Sequence, residues 1–242
     1  MFRHSGENRT LQHNLRLASL LSFVAGAVNV AGFLAVQRLT TNVTGHFAFF
    51  VDEVFKFDLL QAFVFFLYIF FFFSGSFVSS FMVELSYKGK SAYVYVWPVI
   101  LESAILFSAA LFGSLLINHH PDVLAFLLLF AMGLQNSLVT TISKATVRTT
   151  HLTGLFTDLG IELSQLLFYK QPAHRSKLYA SIRLRFTIIG FFFIGGLAGG
   201  VLYSFIQLYV LGVAGVLLIS GITFDYLKPG TAENTSSSAH QA

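Results

Sequence analysis

Six stretches of this chain, about 15–37, 58–86, 93–117, 122–142, 183–203 and 206–227, each offer a run of apolar residues long enough to cross a bilayer. A crossing helix needs roughly 20 such residues. No other feature restricts the fold as much. In lipid every backbone N–H and C=O must find its partner within the chain, which commits these stretches to helix. The composition agrees: 55% of the 242 residues are hydrophobic and only 11% are charged, against roughly 25% charged in soluble domains. The second stretch exceeds the bilayer and demands tilt or projection. The boundary between the last two falls in "LYSFIQLY", which has no turn residue.

The charge pattern sets the orientation. The net charge of +4 is spread between spans and not gathered in one patch, so it argues for membrane topology and against nucleic acid. With six crossings, 13 of the 15 Lys and Arg fall on one side and only Arg38 and Lys56 on the other. The positive-inside rule then makes both termini cytoplasmic, with 118–121 outside and 171–182 inside. The first apolar run follows Arg3, Arg9 and Arg16 as a signal peptide would, but the later spans make it an uncleaved first helix. The chain has no cysteine, which excludes disulfides, thiol nucleophiles and cysteine-ligated zinc.

Two segments fit neither span nor loop, and each contains the same octet. "TTNVTGHF" (40–47) and "TTHLTGLF" (149–156) agree at five of eight positions: Thr40/Thr149, Thr41/Thr150, Thr44/Thr153, Gly45/Gly154 and Phe47/Phe156. The match extends back to Gly26/Gly133 and Asn29/Asn136 if two residues are inserted, and forward to Glu53/Glu162. Each unit reads as a helix, the octet, a short acidic amphipathic segment and two more helices. Three spans per unit is odd, so the second unit stands inverted relative to the first. The expected fold is all-α: six transmembrane helices as two inverted three-helix repeats, 15–117 and 118–227, each with a half-helix or re-entrant segment after its first helix. A cytoplasmic segment, 1–14, precedes them, and a polar, disordered cytoplasmic tail, 228–242, follows. Inverted repeats recur in secondary transporters; a duplicated fold without transport is the alternative.

A threonine followed by glycine suits the start of a helix, because the hydroxyl caps a free N–H and the glycine admits close approach. The segments that follow, "HFAFFVDEVF" and "LFTDLGIELSQLLFY", are apolar enough to enter the bilayer yet too short or too charged to cross it. One reading makes them re-entrant half-helices entering from opposite sides, their N-termini bringing partial positive charge to the middle of the protein. The other makes them interfacial amphipathic helices.

These residues resemble a known family. "VRTTHLTGLFTDLGIEL" (147–163), "AMGLQNS" (131–137) and "TNVTGH" (41–46) are similar to the YoaK-like bacterial membrane proteins, also called domain of unknown function 1275. The resemblance covers about residues 15 to 227 in layout. It implies a six-helix protein of the bacterial inner (plasma) membrane and no settled activity. The family's first motif commonly runs Thr-Gly-Asn, whereas this chain has His46 after Thr44 and Gly45.

The candidate substrate-binding residues are Asn42, Thr44, Gly45, His46, Asn136, Arg148, His151, Thr153, Gly154 and Asp158. Arg148 holds an anionic ligand in one reading and neutralises Asp158 in the other. Glu53, Glu102 and Glu162 are candidates for coupling or proton relay. Glu102 lies mid-span, where a charge costs at least ~2.5 kcal/mol, so it is either a coupling carboxylate or a protonated group hydrogen-bonded to a neighbouring helix. Asp158 and Glu162 share one helix face. Gly195, Gly196, Gly199 and Gly200 suit close helix packing, within the chain or in a homo-oligomer. His119, His120 and Asp122 lack a fourth ligand for a metal, and no cofactor motif is present. The expected function is a secondary transporter or channel-like carrier of a small polar or anionic solute. A membrane scaffold is the alternative. An enzyme using Asp158, Glu162 and His151 ranks below both, since no nucleophile has a base at motif spacing.

Overall fold

A computed structural model of the chain describes residue 2, residues 9–89 and residues 93–227. The proposed tail, 228–242, and part of the 1–14 segment lie outside the described residues. Eight helices follow one another: α1 (Leu11–Val36), α2 (Val43–Phe55), α3 (Leu59–Lys88), α4 (Val96–His119), α5 (Pro121–Ile142), α6 (Leu152–Phe168), α7 (Pro172–Ile206) and α8 (Tyr209–Leu227). All but α2 and α6 are long and apolar enough to cross a membrane, which makes six candidate spans among the described residues. These are the six expected, with one correction of extent. Residues 172–182, expected as an inner connection, form the first turns of α7, a helix of 35 residues. Its proline stands at the first helical position, where the missing N–H costs nothing. The break between α7 and α8 comes at Gln207, whose positive φ of 49° turns the chain without a glycine.

The long helices pack in pairs drawn from opposite ends of the sequence. α1 lies along α7 in the same direction, with Gly195 against Phe23 and Gly199 so near Ala27 that an added Cβ would stand 2.7 Å from the Ala27 Cα. α3 lies along α5, also parallel: Tyr68 meets Asp122 and Phe126, Phe71 stacks on Phe126, and Gly75 meets Phe130. α4 runs antiparallel to α8, where Gly113 faces Leu208 and Gly215 faces the Ser103 carbonyl. Six alternating crossings require these directions. Were α2 and α6 also to cross, α4 and α8 would run the same way.

Four glycines govern the two parallel pairs. A methyl on Gly26 would overlap the Phe192 carbonyl oxygen, and one on Gly195 would overlap that of Phe23. Gly133 stands in the same relation to Phe72, and Gly75 to Phe130. Each glycine follows its helix's phenylalanine by three residues: "FVAG", "FFSG", "FAMG" and "FFIG". Without a side chain the backbones meet directly, the small-residue packing expected between membrane helices. The Gly195–Gly199 face is therefore occupied by α1 of the same chain. α1 and α5 are the most enclosed spans, and Leu17, Leu21, Leu128, Met132 and Leu138 anchor the core between them.

The two short helices begin part-way along the length of the bundle. α1 ends at Val36, Gln37 turns the chain with a φ of 54°, and the chain comes back along its own helix. The Thr41 hydroxyl donates to the Asn29 side-chain oxygen at 2.8 Å, seven residues before the end of α1. That is about 10 Å of helix retraced. The second octet repeats the manoeuvre: the Gln135 amide donates to the Thr149 hydroxyl at 3.3 Å, seven residues before α5 ends at Ile142. From there α2 packs outward along α3 and α6 outward along α7.

Candidate functional site

The first turns of α2 and α6 border one cavity of about 850 Å³. From the first half it takes Asn29, Thr41, Asn42, Thr44, Gly45 and Phe72. The second half supplies Asn136, Thr150, His151, Thr153 and Phe192. Nearly every lining residue has its counterpart across the cavity: Asn29 and Asn136, Thr41 and Thr150, Thr44 and Thr153, Phe72 and Phe192. The wall holds amides, hydroxyls and helix N-termini, and His151 is its one ionisable side chain among the described residues. Free N–H groups at two helix starts favour negative or strongly polar groups.

The helix starts differ in one respect. The cap of α2 is Asn42, whose side-chain oxygen accepts from the Gly45 N–H at 3.0 Å. Thr44, expected as the cap, is instead the second residue of the helix. In α6 the corresponding residue is His151, which makes no side-chain cap bond. Its ring lies against Gly154, so that any side chain on Gly154 must displace it.

A second cavity of about 410 Å³ lies beside the start of α6, lined by Arg148, His151, Gly154, Asp158, Ser181 and Arg185 among others. Arg148 does not pair with Asp158. The partner is Arg185, a residue of α7 that the sequence reading counted only towards topology. One of its terminal nitrogens donates to Asp158 at 2.9 Å, while Nε and the other donate to Glu162 at 2.8 and 2.9 Å. The Ser181 hydroxyl adds a 2.6 Å bond to Glu162. Burial pushes the Glu162 carboxyl up, and the Arg185 and Ser181 bonds together outweigh it, leaving the group below its usual range. Arg148 has no hydrogen bond or ion pair among the described residues.

The remaining candidates stand apart from both cavities. His46 is buried behind α2, where Nε2–H donates to the Leu39 carbonyl at 2.6 Å and the ring packs on Tyr68. Tyr68 in turn donates to Asp122 and accepts from Arg38 Nε at 3.0 Å. Glu53 pairs with Lys56 at the outer end of α2. Glu102 is fully buried in α4, and neither carboxyl oxygen has a hydrogen-bond partner among the described residues. The hydrogen bond to a neighbouring helix, one of the two readings offered for it, is not formed. Sequence reasoning missed Phe72 and Phe192 as lining residues, although the shared "FFFxG" of 71–75 and 191–195 was available as a signal.

No curated protein and no solved structure matches the chain. A family does: over residues 17–224 the chain matches, and so belongs to, the family described as Protein of unknown function (DUF1275).

Proposed function

We propose that this membrane protein is a secondary transporter or channel-like carrier of a small polar or anionic solute, held where the two octets meet. The observation that carries the reading is the single cavity bordered by the N-termini of α2 and α6 together. In this account the halves are inverted repeats related by a pseudo-twofold axis through that cavity, and α2 and α6 are re-entrant half-helices. Three observations support it. Exchanging the first four helices for the last four leaves the principal packing pairs unchanged. The Phe-x-x-Gly contacts are reciprocal, and both octets double back by the same distance. Broken helices at an inverted-repeat interface are the usual solute site of such carriers. The basic bias supports cytoplasmic termini, and the Phe2 N–H donating to Asp225 at 2.7 Å supports residues 2 and 225 lying on one side.

The test is binding. Purified protein is screened by thermal shift against small inorganic anions, carboxylates, amides and polyols. The reading expects at least one to raise the unfolding temperature of the native chain and to lose that effect in Gly154→Leu, where the new side chain must displace the His151 ring that lines the cavity. Arg148→Ala is expected to weaken an anion more than a neutral solute. A panel without any such shift speaks for the scaffold reading.

A further inference from the structure

The cavity between the octets is symmetric in its lining, but its two ends are not alike. Gly45 and Gly154 correspond, as do Phe72 and Phe192. Four residues after the first pair come Phe49 and Asp158; seven before the second come Phe65 and Arg185. The same helix–helix contact is therefore made twice with different chemistry. Between α2 and α3 it is a ring stack, Phe49 on Phe65 at 5.3 Å between centroids, with His46 and Tyr68 packed behind it. Between α6 and α7 it is the 2.9 Å ion pair of Asp158 with Arg185, beside the second cavity. Among the described residues, His151 is the one that lines both cavities.

We infer that the second cavity is the entrance to the first: solute reaches the octets from the α6–α7 end, past His151, while the aromatic stack closes the α2–α3 end. The inference rests on the carrier reading for what enters, but not for how the space is connected. The stack sets two apolar rings at the α2–α3 contact, with the Arg38 guanidinium 5.9 Å from the Phe65 centroid as the charge beside it, whereas Arg148, Asp158, Arg185 and the His151 imidazole all line the second cavity. The entering solute is small and polar, since it must pass between these groups and then exchange water for amides, hydroxyls and helix N–H groups. Arg185 is held by two carboxylates and stays in the wall. His151 sits at the neck, where the first half has the smaller, capped Asn42.

The chain has no cysteine, so one introduced thiol reports access without any solute being known. Thr44→Cys, in the wall of the octet cavity, is placed in sealed vesicles of known orientation and exposed to a membrane-impermeant methanethiosulfonate from one side at a time. Labelling is expected from the side of the α6–α7 turn, at least tenfold faster than from the other. His151→Trp is expected to slow it tenfold or more, while Arg148→Cys in the same background still labels and reports an intact vestibule. Thr153→Cys serves as a second reporter where Thr44→Cys fails to insert. Equal or faster labelling from the α2–α3 side overturns the inference. So does labelling that His151→Trp leaves unchanged, or none from either side while Arg148→Cys reacts. A labelled cavity with no solute found would remove the carrier reading and leave the entrance standing.

Discussion

Gly26 lies so close to Phe192 that a methyl group on the glycine would overlap the phenylalanine's carbonyl oxygen. A backbone oxygen cannot step aside as a side chain would, so Gly26→Ala must separate α1 from α7. Overpacking typically costs about 1–3 kcal/mol. Gly190 has nothing within 4 Å of a new Cβ, and Gly190→Ala should be neutral or gain up to about 1 kcal/mol in helix propensity. Reversible unfolding in detergent is expected to place the two variants on opposite sides of the native protein, and Gly133→Ala should follow Gly26→Ala.

Glu162 makes the docking of α6 on α7 dependent on acid. Its carboxyl is held below the usual range by Arg185 and Ser181, so the native state prefers the ionised form more than the unfolded chain does. That contribution is fully present above the unfolded value, about 4.3, and is lost as pH falls through the lower folded value. Amide hydrogen exchange should therefore show α6 loosening below about pH 4, well before α1 and α5. Glu162→Gln should already be loosened at neutral pH and should flatten the dependence. Equal protection of α6 at all pH values would remove the ion cluster from the account.

Glu102 has a separate test. A buried polar group without a partner costs about 1–3 kcal/mol, and neither Glu102 oxygen has one among the described residues. If the residue does nothing but fill space, Glu102→Leu, close in size, should raise the unfolding midpoint. A stabilised variant that no longer moves solute would mark Glu102 as the coupling group.

Orientation is checked with the same cysteine-free chain. Ser176→Cys, in the first turns of α7, is expected to react only from the cytoplasmic side, and Asn118→Cys, at the end of α4, only from outside. Reaction of position 176 from outside would invert the account, because most of the basic asymmetry lies in that region.

The spans were legible because lipid imposes a coarse rule that apolar letters alone satisfy, and the octets were legible because they repeat. Other features depend on partners distant in sequence. The start of α7 was read as a loop because Arg175, Lys177, Arg183 and Arg185 lower its hydropathy, although a helix can carry them beyond the bilayer. Arg185 looked like a topology marker until α6 folded against it. Asn42 and Thr44 both suit a helix cap, and only the position of the first turn decides between them. The Phe-x-x-Gly motif was present in four helices, but three-residue signatures become meaningful only when carbonyls are seen opposite the glycines.

The most direct measurement of the central claim asks whether solute passes through the octet cavity. Vesicles reconstituted with native protein or with Gly154→Leu are loaded with one mixture of small inorganic and organic solutes, and the contents retained are followed by mass spectrometry. The account predicts that at least one small polar or anionic solute leaves the native vesicles tenfold or more faster than those holding Gly154→Leu, with both proteins equally inserted. Identical retention of every solute in the two preparations would contradict it.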